Sequence, residues 1–419
     1  MDTPALPPDL SETGWVSPDY PLVNDLARAQ PRAALWLRRP EEEREAQGYL
    51  HTLTEILQQP ATWLETCDRA VAHSALFRQA VEGIRALVLT GSGSSEYAGE
   101  CMRPALQKEL GTDTVTIGGG DLLADLPSVL PPHRPALMVS LARSGNSPES
   151  LGALRAVCHH DPAIRQLVLT CNQKGNLALA CAGDPSVYLL VLDERTNDRS
   201  LVMTSSFTNV VLAGRYLGML DAPGRYRQMC RRLSALCSAL LLTSFDTLIG
   251  VAEWDFDRAV FLGGGANWGA ARESALKMLE MTAGRVATIS ETYLGLRHGP
   301  LSFAGERTLV VGYLSSDAVR RAYESDLVRE LHRKRVGLAT VLVGEDIPRD
   351  LLREQDVAIE LPGLAELADD QASVLHVVVG QLLAFGRSMA EGLRPDSPSE
   401  NGIIHRVVES FPLYPAGRT

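Results

Sequence analysis

The chain has no long run of basic residues. Its 40 lysines and arginines stand against 51 aspartates and glutamates, for a formal net charge of −11. That balance argues against nucleic acid as the partner. An anionic ligand has to be held by local groups against the overall field. The seven cysteines are odd in number and scattered, with no Cys-x-x-Cys pair. They read as reduced cytoplasmic thiols, not as disulfide staples or zinc ligands, and no metal site is expected. The first residues, MDTPALPPDLSETGWVSPDY, lack the basic start and apolar core of a signal peptide. No stretch reads as a membrane span, because the best candidate, ALCSALLLTSFDTLIGVAEW, is broken by Asp246.

What is present is ordinary globular material, 45% hydrophobic and 22% charged over 419 residues. That length predicts two domains. Residues 1–45 are Pro-rich and read as an irregular extension that wraps the body or packs on a partner subunit. In TLTEILQQPATW a helix is expected to stop at Pro60, with a second behind it, and Thr52 and Glu55 have capping-box spacing. From Arg85 onward, short apolar runs alternate with polar turns and helical stretches. RALVLT, RPALMVS, RQLVLT and SVYLLVL read as strands of a parallel sheet. Residues 46–222 form this first unit. A long helical connector opens the second, residues 223–392, where RAVFLGGGANWGAARESALKMLEMTAG repeats the same grammar. ERTLVVGYL, VGLATVLVG and DVAIELP continue it. Residues 393–419 are a tail punctuated by Pro and Gly. The fold class is therefore α/β, as two similar halves.

Ligands in a doubly wound sheet bind beyond the carboxyl ends of the strands. Three first-half turns are hydroxyl-rich there: Ser92, Ser94 and Ser95 around Gly93; Ser144 and Ser147; and Thr204, Ser205 and Ser206. Each precedes a helix, whose N-terminal N–H groups and dipole favour an anion. Together they predict a neutral cradle for a phosphate. The bland alternative is that each is only a helix cap. The corresponding second-half turn, GGGANWG, has no hydroxyl, so chemistry is expected from its helix instead. On that helix Lys277 and Glu280 stand three apart and share a face. His298 precedes a Gly-Pro pair in a defined loop, and its near-neutral pKa suits proton transfer.

GSGSSEYAG, ARSGNSPES, MTSSFTN, ALKMLEMTAG and LRHGP, in that order, resemble the sugar isomerase (SIS) superfamily. The nearest resemblance is to AgaS-type galactosamine-6-phosphate deaminase/isomerases, also called tagatose-6-phosphate ketose/aldose isomerases. A more distant one is to the isomerase half of glucosamine-6-phosphate synthase. The resemblance implies two tandem SIS domains, each an α/β/α sandwich of flavodoxin-like type. It implies a sugar-phosphate substrate, no cofactor, and a homodimer or dimer of dimers with the active site at the subunit interface. By resemblance, Ser94, Ser95, Arg143, Ser144, Ser147, Thr204 and Ser205 hold the phosphate, with Ser92 and Gly93 beside them. Arg143 is expected to replace, by a charge-assisted bond, a serine contact that this chain loses at Ala142. Lys277 and Glu280 match the active-site lysine and the proton-shuttling glutamate. His298 matches a ring-opening histidine, which in this family can come from the neighbouring subunit, and His405 lies near the position of a tail lysine. The implied reaction is aldose–ketose isomerisation with deamination of a hexosamine 6-phosphate. A fructosamine-6-phosphate deglycase, a glucosamine-6-phosphate deaminase and a non-catalytic phosphosugar sensor are the alternatives.

Overall fold

The computed structural model describes residues 21–399 and 401–414. Ten strands among them form two five-stranded sheets. The first contains β1 (Ala86–Gly91), β2 (Asp113–Gly118), β3 (Ala136–Ala142), β4 (Ile164–Thr170) and β5 (Val187–Val191), in the order β2-β1-β3-β4-β5. The second contains β6 (Arg258–Leu262), β7 (Ala287–Glu291), β8 (Thr308–Tyr313), β9 (Ala339–Gly344) and β10 (Val357–Glu360). Read from β7, its order is β7-β6-β8-β9-β10, the same pattern. Every pairing is parallel. Both sheets thus have the flavodoxin-like order, whose direction reverses between β1 and β3 and again between β6 and β8.

The central strands are apolar because helices cover both their faces. All residues of β3, β8 and β9 are buried. The sequence reading missed β2 and β7. Both are edge strands, with sequences DTVTIG and ATISE, and both are only partly buried. Their Thr and Ser content suits a half-exposed edge but gives no apolar run to notice.

The helices Pro223–Ala252 and Asp369–Ala390 join the halves into one continuous core. Both are long and apolar enough to cross a bilayer, which the sequence reading did not expect. Most of the apolar window of the second, 89%, is buried inside the protein, as is 56% of the first. Asp246, which breaks the apolar run, accepts the backbone N–H groups of Arg32 (2.8 Å) and Ala33 (3.2 Å).

Those two residues belong to the extension, which is not irregular where it is described. It forms helices Pro21–Ala29, Pro31–Leu37 and Glu41–Ala46, packed on the body. Its prolines begin helices instead of breaking them. Pro31 is the first residue of one and Pro40 immediately precedes another, positions where the missing N–H costs nothing. Residues 1–20 lie outside the described residues. The capping-box reading also fails. The helix Leu50–Leu57 starts two residues before Thr52, and its free N–H groups, at His51 and Thr52, are capped by Asp396 of the tail at 3.1 and 2.7 Å. Glu55 turns away to the backbone N–H groups of Arg199 and Ser200. Pro60 does mark a new helix, Gln59–Ala72.

Candidate active site

The first turn runs from the end of β1 into the helix Ser94–Leu110. Gly93 has φ +56°, a left-handed conformation that suits glycine, and turns the chain sharply enough to bring Ser94 and Ser95 to the helix start. Both serines are buried. The second turn leaves β3 at Arg143. Ser144 Oγ accepts the N–H of Asn146 at 3.3 Å, and Ser147 Oγ lies 2.7 Å from Ser150 Oγ at the start of Pro148–His160. A Cβ at Gly175 would sit 2.1 Å from the Ser144 carbonyl oxygen, so only glycine lets the next loop support this turn so closely. These two turns flank the point where the strand order reverses, between β1 and β3. Ser92 is exposed at the rim.

The third turn is partly filled from within. Asp198 accepts the N–H groups of Thr204 (2.7 Å) and Ser206 (2.9 Å) and the hydroxyls of Ser205 and Ser206 (both 2.5 Å). A carboxylate therefore already sits at the N-terminus of the helix Ser205–Arg215, where a helix attracts an anion. Ser205 is fully engaged, since it also accepts from Gln58 Nε2 at 3.0 Å. Thr204 Oγ1 is buried and has no hydrogen-bond partner among the described residues.

The helix Asn267–Met281 starts from the second-half Gly turn and brings its polar face against these loops. Lys277 is completely buried. Its Nζ donates to Ser94 Oγ at 3.0 Å and to Glu280 at 2.5 Å, and lies 3.3 Å from Glu273. Burial alone lowers a lysine pKa; here the carboxylates of Glu273 and Glu280 outweigh it, and the net shift is upward. Glu273 is also fully buried, and desolvation pushes its carboxyl up to about 7 despite the adjacent ammonium. Glu280 differs from both: its side chain is 23% exposed and faces an open cavity of about 420 Å³. Leu276, Leu279, Ile403 and Ile404 line that cavity beside it. Glu273 was not identified from sequence. Its spacing, seven before Glu280 and four before Lys277, places it on the same helical face and was the available signal.

Other expected residues stand elsewhere. The Arg143 guanidinium is buried; both its Nη groups bond to backbone carbonyls, and its Nε has no hydrogen-bond partner among the described residues. Nη1 donates to Ser200 (3.3 Å), Leu201 (2.8 Å) and Val202 (3.0 Å), and Nη2 to Arg406. His298 is exposed on its loop, and no hydrogen bond among the described residues joins its imidazole to Lys277, Glu280 or the serines. His405 is exposed as well, 3.4 Å from Glu409. Within one chain, then, Ser94, Lys277 and Glu280 come together, while no hydrogen bond among the described residues joins either histidine to them.

The second half has hydroxyls that its Gly turn lacks, but they are engaged internally. Asp369 accepts from Ser315 Oγ at 2.7 Å and from the Ser316 N–H at 2.9 Å, and pairs with Arg320.

No protein-family model matches the chain. A relative from Streptomyces coelicolor is 36% identical over 376 residues, spanning 87% of this chain and 95% of its own. The D-galactosamine-6-phosphate deaminase AgaS of Escherichia coli O157:H7 is 33% identical, with 87% and 95% covered. The chain belongs to the AgaS family. The crystal structure of tagatose-6-phosphate ketose/aldose isomerase from Escherichia coli superposes with a TM-score of 0.78 at 31% identity, covering 84% of this chain and 96% of that one. The C-terminal domain of glucosamine-fructose-6-phosphate aminotransferase from Francisella tularensis gives 0.70 at 18% identity over 83% and 98%. At that identity it speaks for the fold alone, two tandem α/β units with parallel five-stranded sheets. AgaS relatives span nearly their whole length in this match, so the family's two-sheet plan and this chain's coincide.

Proposed function

We propose that this AgaS-family chain is a cofactor-independent enzyme that isomerises and deaminates a hexosamine 6-phosphate. Galactosamine 6-phosphate is the substrate favoured by the relatives' names, and tagatose 6-phosphate and ammonia are the products. The carrying observation is the buried Lys277, which ties Ser94 of the first phosphate turn to Glu280 at the cavity. Phosphate holding and proton transfer are thereby fixed at one distance.

The phosphate rests on the Ser94–Ser95 and Ser144–Ser147 turns, with the free Thr204 hydroxyl beside them. These helix starts supply hydroxyls and N–H donors to a dianion. Glu280, the exposed member of its cluster, removes the C2 proton of the open-chain sugar and returns it to C1. A positioned carboxylate contributes roughly 10²–10⁴-fold in such a step. Lys277 stabilises the oxygen anion that develops, from a site already dry. The shift leaves a ketimine at C2, which water hydrolyses to ketose and ammonia. A substrate with a C2 hydroxyl undergoes plain isomerisation by the same steps, the activity named for the E. coli structural neighbour. Ring opening falls to His298. Its exposure, and the lack of any hydrogen bond from it to Lys277 or Glu280 among the described residues, support a homodimer in which the loop of one subunit completes the site of the other. The seven cysteines, all free, fit a reducing cytoplasm.

The test is ammonia and ketose-phosphate release from galactosamine 6-phosphate, glucosamine 6-phosphate and fructosamine 6-phosphate. Release from the first supports the reading. Release from the third alone assigns a deglycase instead, and binding without release from any assigns a sensor.

A further inference from the structure

Arg143 follows β3 directly, beside the Ser144–Ser147 turn, and both its Nη groups are taken up by backbone carbonyls. It holds three successive carbonyls, Ser200 to Val202, on the segment that leads into the third turn. Through Nη2 it also holds the carbonyl of Arg406 in the tail. The Arg406 side chain returns to the same segment, donating to the Asp198 carbonyl at 2.7 Å and to Asn197 Oδ1 at 2.8 Å. Asp198 is the carboxylate that caps the third-turn helix. The other end of the tail is fixed to the same stretch: the Leu201 N–H donates to the Asp396 carbonyl at 2.9 Å. Between these two anchors, Ser399, Asn401, Ile403 and Ile404 line the cavity that Glu280 faces.

A buried cation set against four carbonyls, with no carboxylate directly paired, is a costly arrangement unless the geometry it enforces matters. We infer that Arg143 is a positioning residue: it binds the 197–202 segment and the C-terminal tail into one wall of the active site, and it does not ligate the phosphate. Its effect on turnover is exerted through the tail over Glu280. This goes beyond the proposed reaction but rests on the site assigned there. The test therefore includes two readouts independent of the substrate's identity: inorganic phosphate affinity, and amide hydrogen exchange over residues 393–414.

Arg143→Met and Arg143→Lys are compared with Arg406→Ala, which opens the same clasp from the tail side and stays informative if an Arg143 variant fails to fold. The expected result is inorganic phosphate affinity within about threefold of the parent, because no contact to the anion is lost. Tail exchange rises by about tenfold or more, because a local opening becomes easier. On galactosamine 6-phosphate, kcat falls by about tenfold or more in Arg143→Met and Arg406→Ala alike, with a smaller fall in Arg143→Lys. Loss of inorganic phosphate affinity by tenfold or more in Arg143→Met overturns the inference, whatever the tail does. So does an Arg406→Ala variant with unchanged tail exchange. If no variant or parent turns over the sugar phosphate while the phosphate and exchange results hold, the reaction assignment fails and the clasp stands.

Discussion

Lys277 of the second half donates to Ser94 of the first at 3.0 Å, across 183 positions of sequence. Neither half alone contains this contact. It ties the Ser94 turn of one sheet to the Lys277–Glu280 helix of the other through one buried ammonium. Lys277→Met should leave Glu273 and Glu280 facing each other unpaired. Removing one partner of a buried ion cluster costs about 3–5 kcal/mol, so a clear fall in unfolding free energy is expected by denaturant titration. The sign with pH follows from the raised pKa. The stabilisation from Lys277 is full below the ordinary lysine value and lost only as pH climbs through the higher folded one. Parent and variant melting curves should therefore converge only in strong alkali.

Ser94→Ala removes a hydroxyl from the proposed phosphate turn and an acceptor from Lys277. A hydrogen bond to a charged group is worth about 1.5–3 kcal/mol. Inorganic phosphate should bind roughly 10–100-fold more weakly, measured by calorimetry. Unchanged affinity would place the phosphate elsewhere.

In the proposed mechanism, phosphate contacts away from the reacting carbons supply the binding energy that holds the less stable open-chain sugar. Free galactosamine should therefore lose kcat as well as affinity. Saturating concentrations of the unphosphorylated sugar that restore full turnover would contradict this.

Glu55 lies fully buried under the third turn, and burial, with Asp198 nearby, raises its carboxyl to about 8. The folded protein keeps this proton where the unfolded chain has lost it. Its contribution to stability therefore falls as pH rises from about 4.5 to about 8, on the order of 1 kcal/mol per unit at most. Glu55→Gln should melt like the parent at pH 5 and above it at pH 8.5. The opposite order would show that Glu55 is held as a stabilised anion.

Much of this was legible in the sequence. β1, β3, β4, β8 and β9 announce themselves as apolar runs because both faces are covered. The Gly and Ser turns behind them mark the crevice, and Lys277 and Glu280 share a face by simple helical spacing. What was not legible depends on distant partners. Asp396 caps a helix 344 residues earlier. Asp198 neutralises a turn that looked free to take an anion, and Arg143 follows a phosphate-like motif yet points to backbone carbonyls. The extension misled because proline was read as a breaker, although the first helical position accepts it.

The central claim is that Glu280 moves the proton of a phosphosugar held by the first-half turns. It is tested most directly by ammonia release from galactosamine 6-phosphate, measured side by side for the parent and Glu280→Gln, with substrate binding confirmed for both. The account predicts steady release by the parent, and a loss of about 10²–10⁴-fold in the variant with binding retained. A Glu280→Gln protein that releases ammonia at the parent's rate would contradict it.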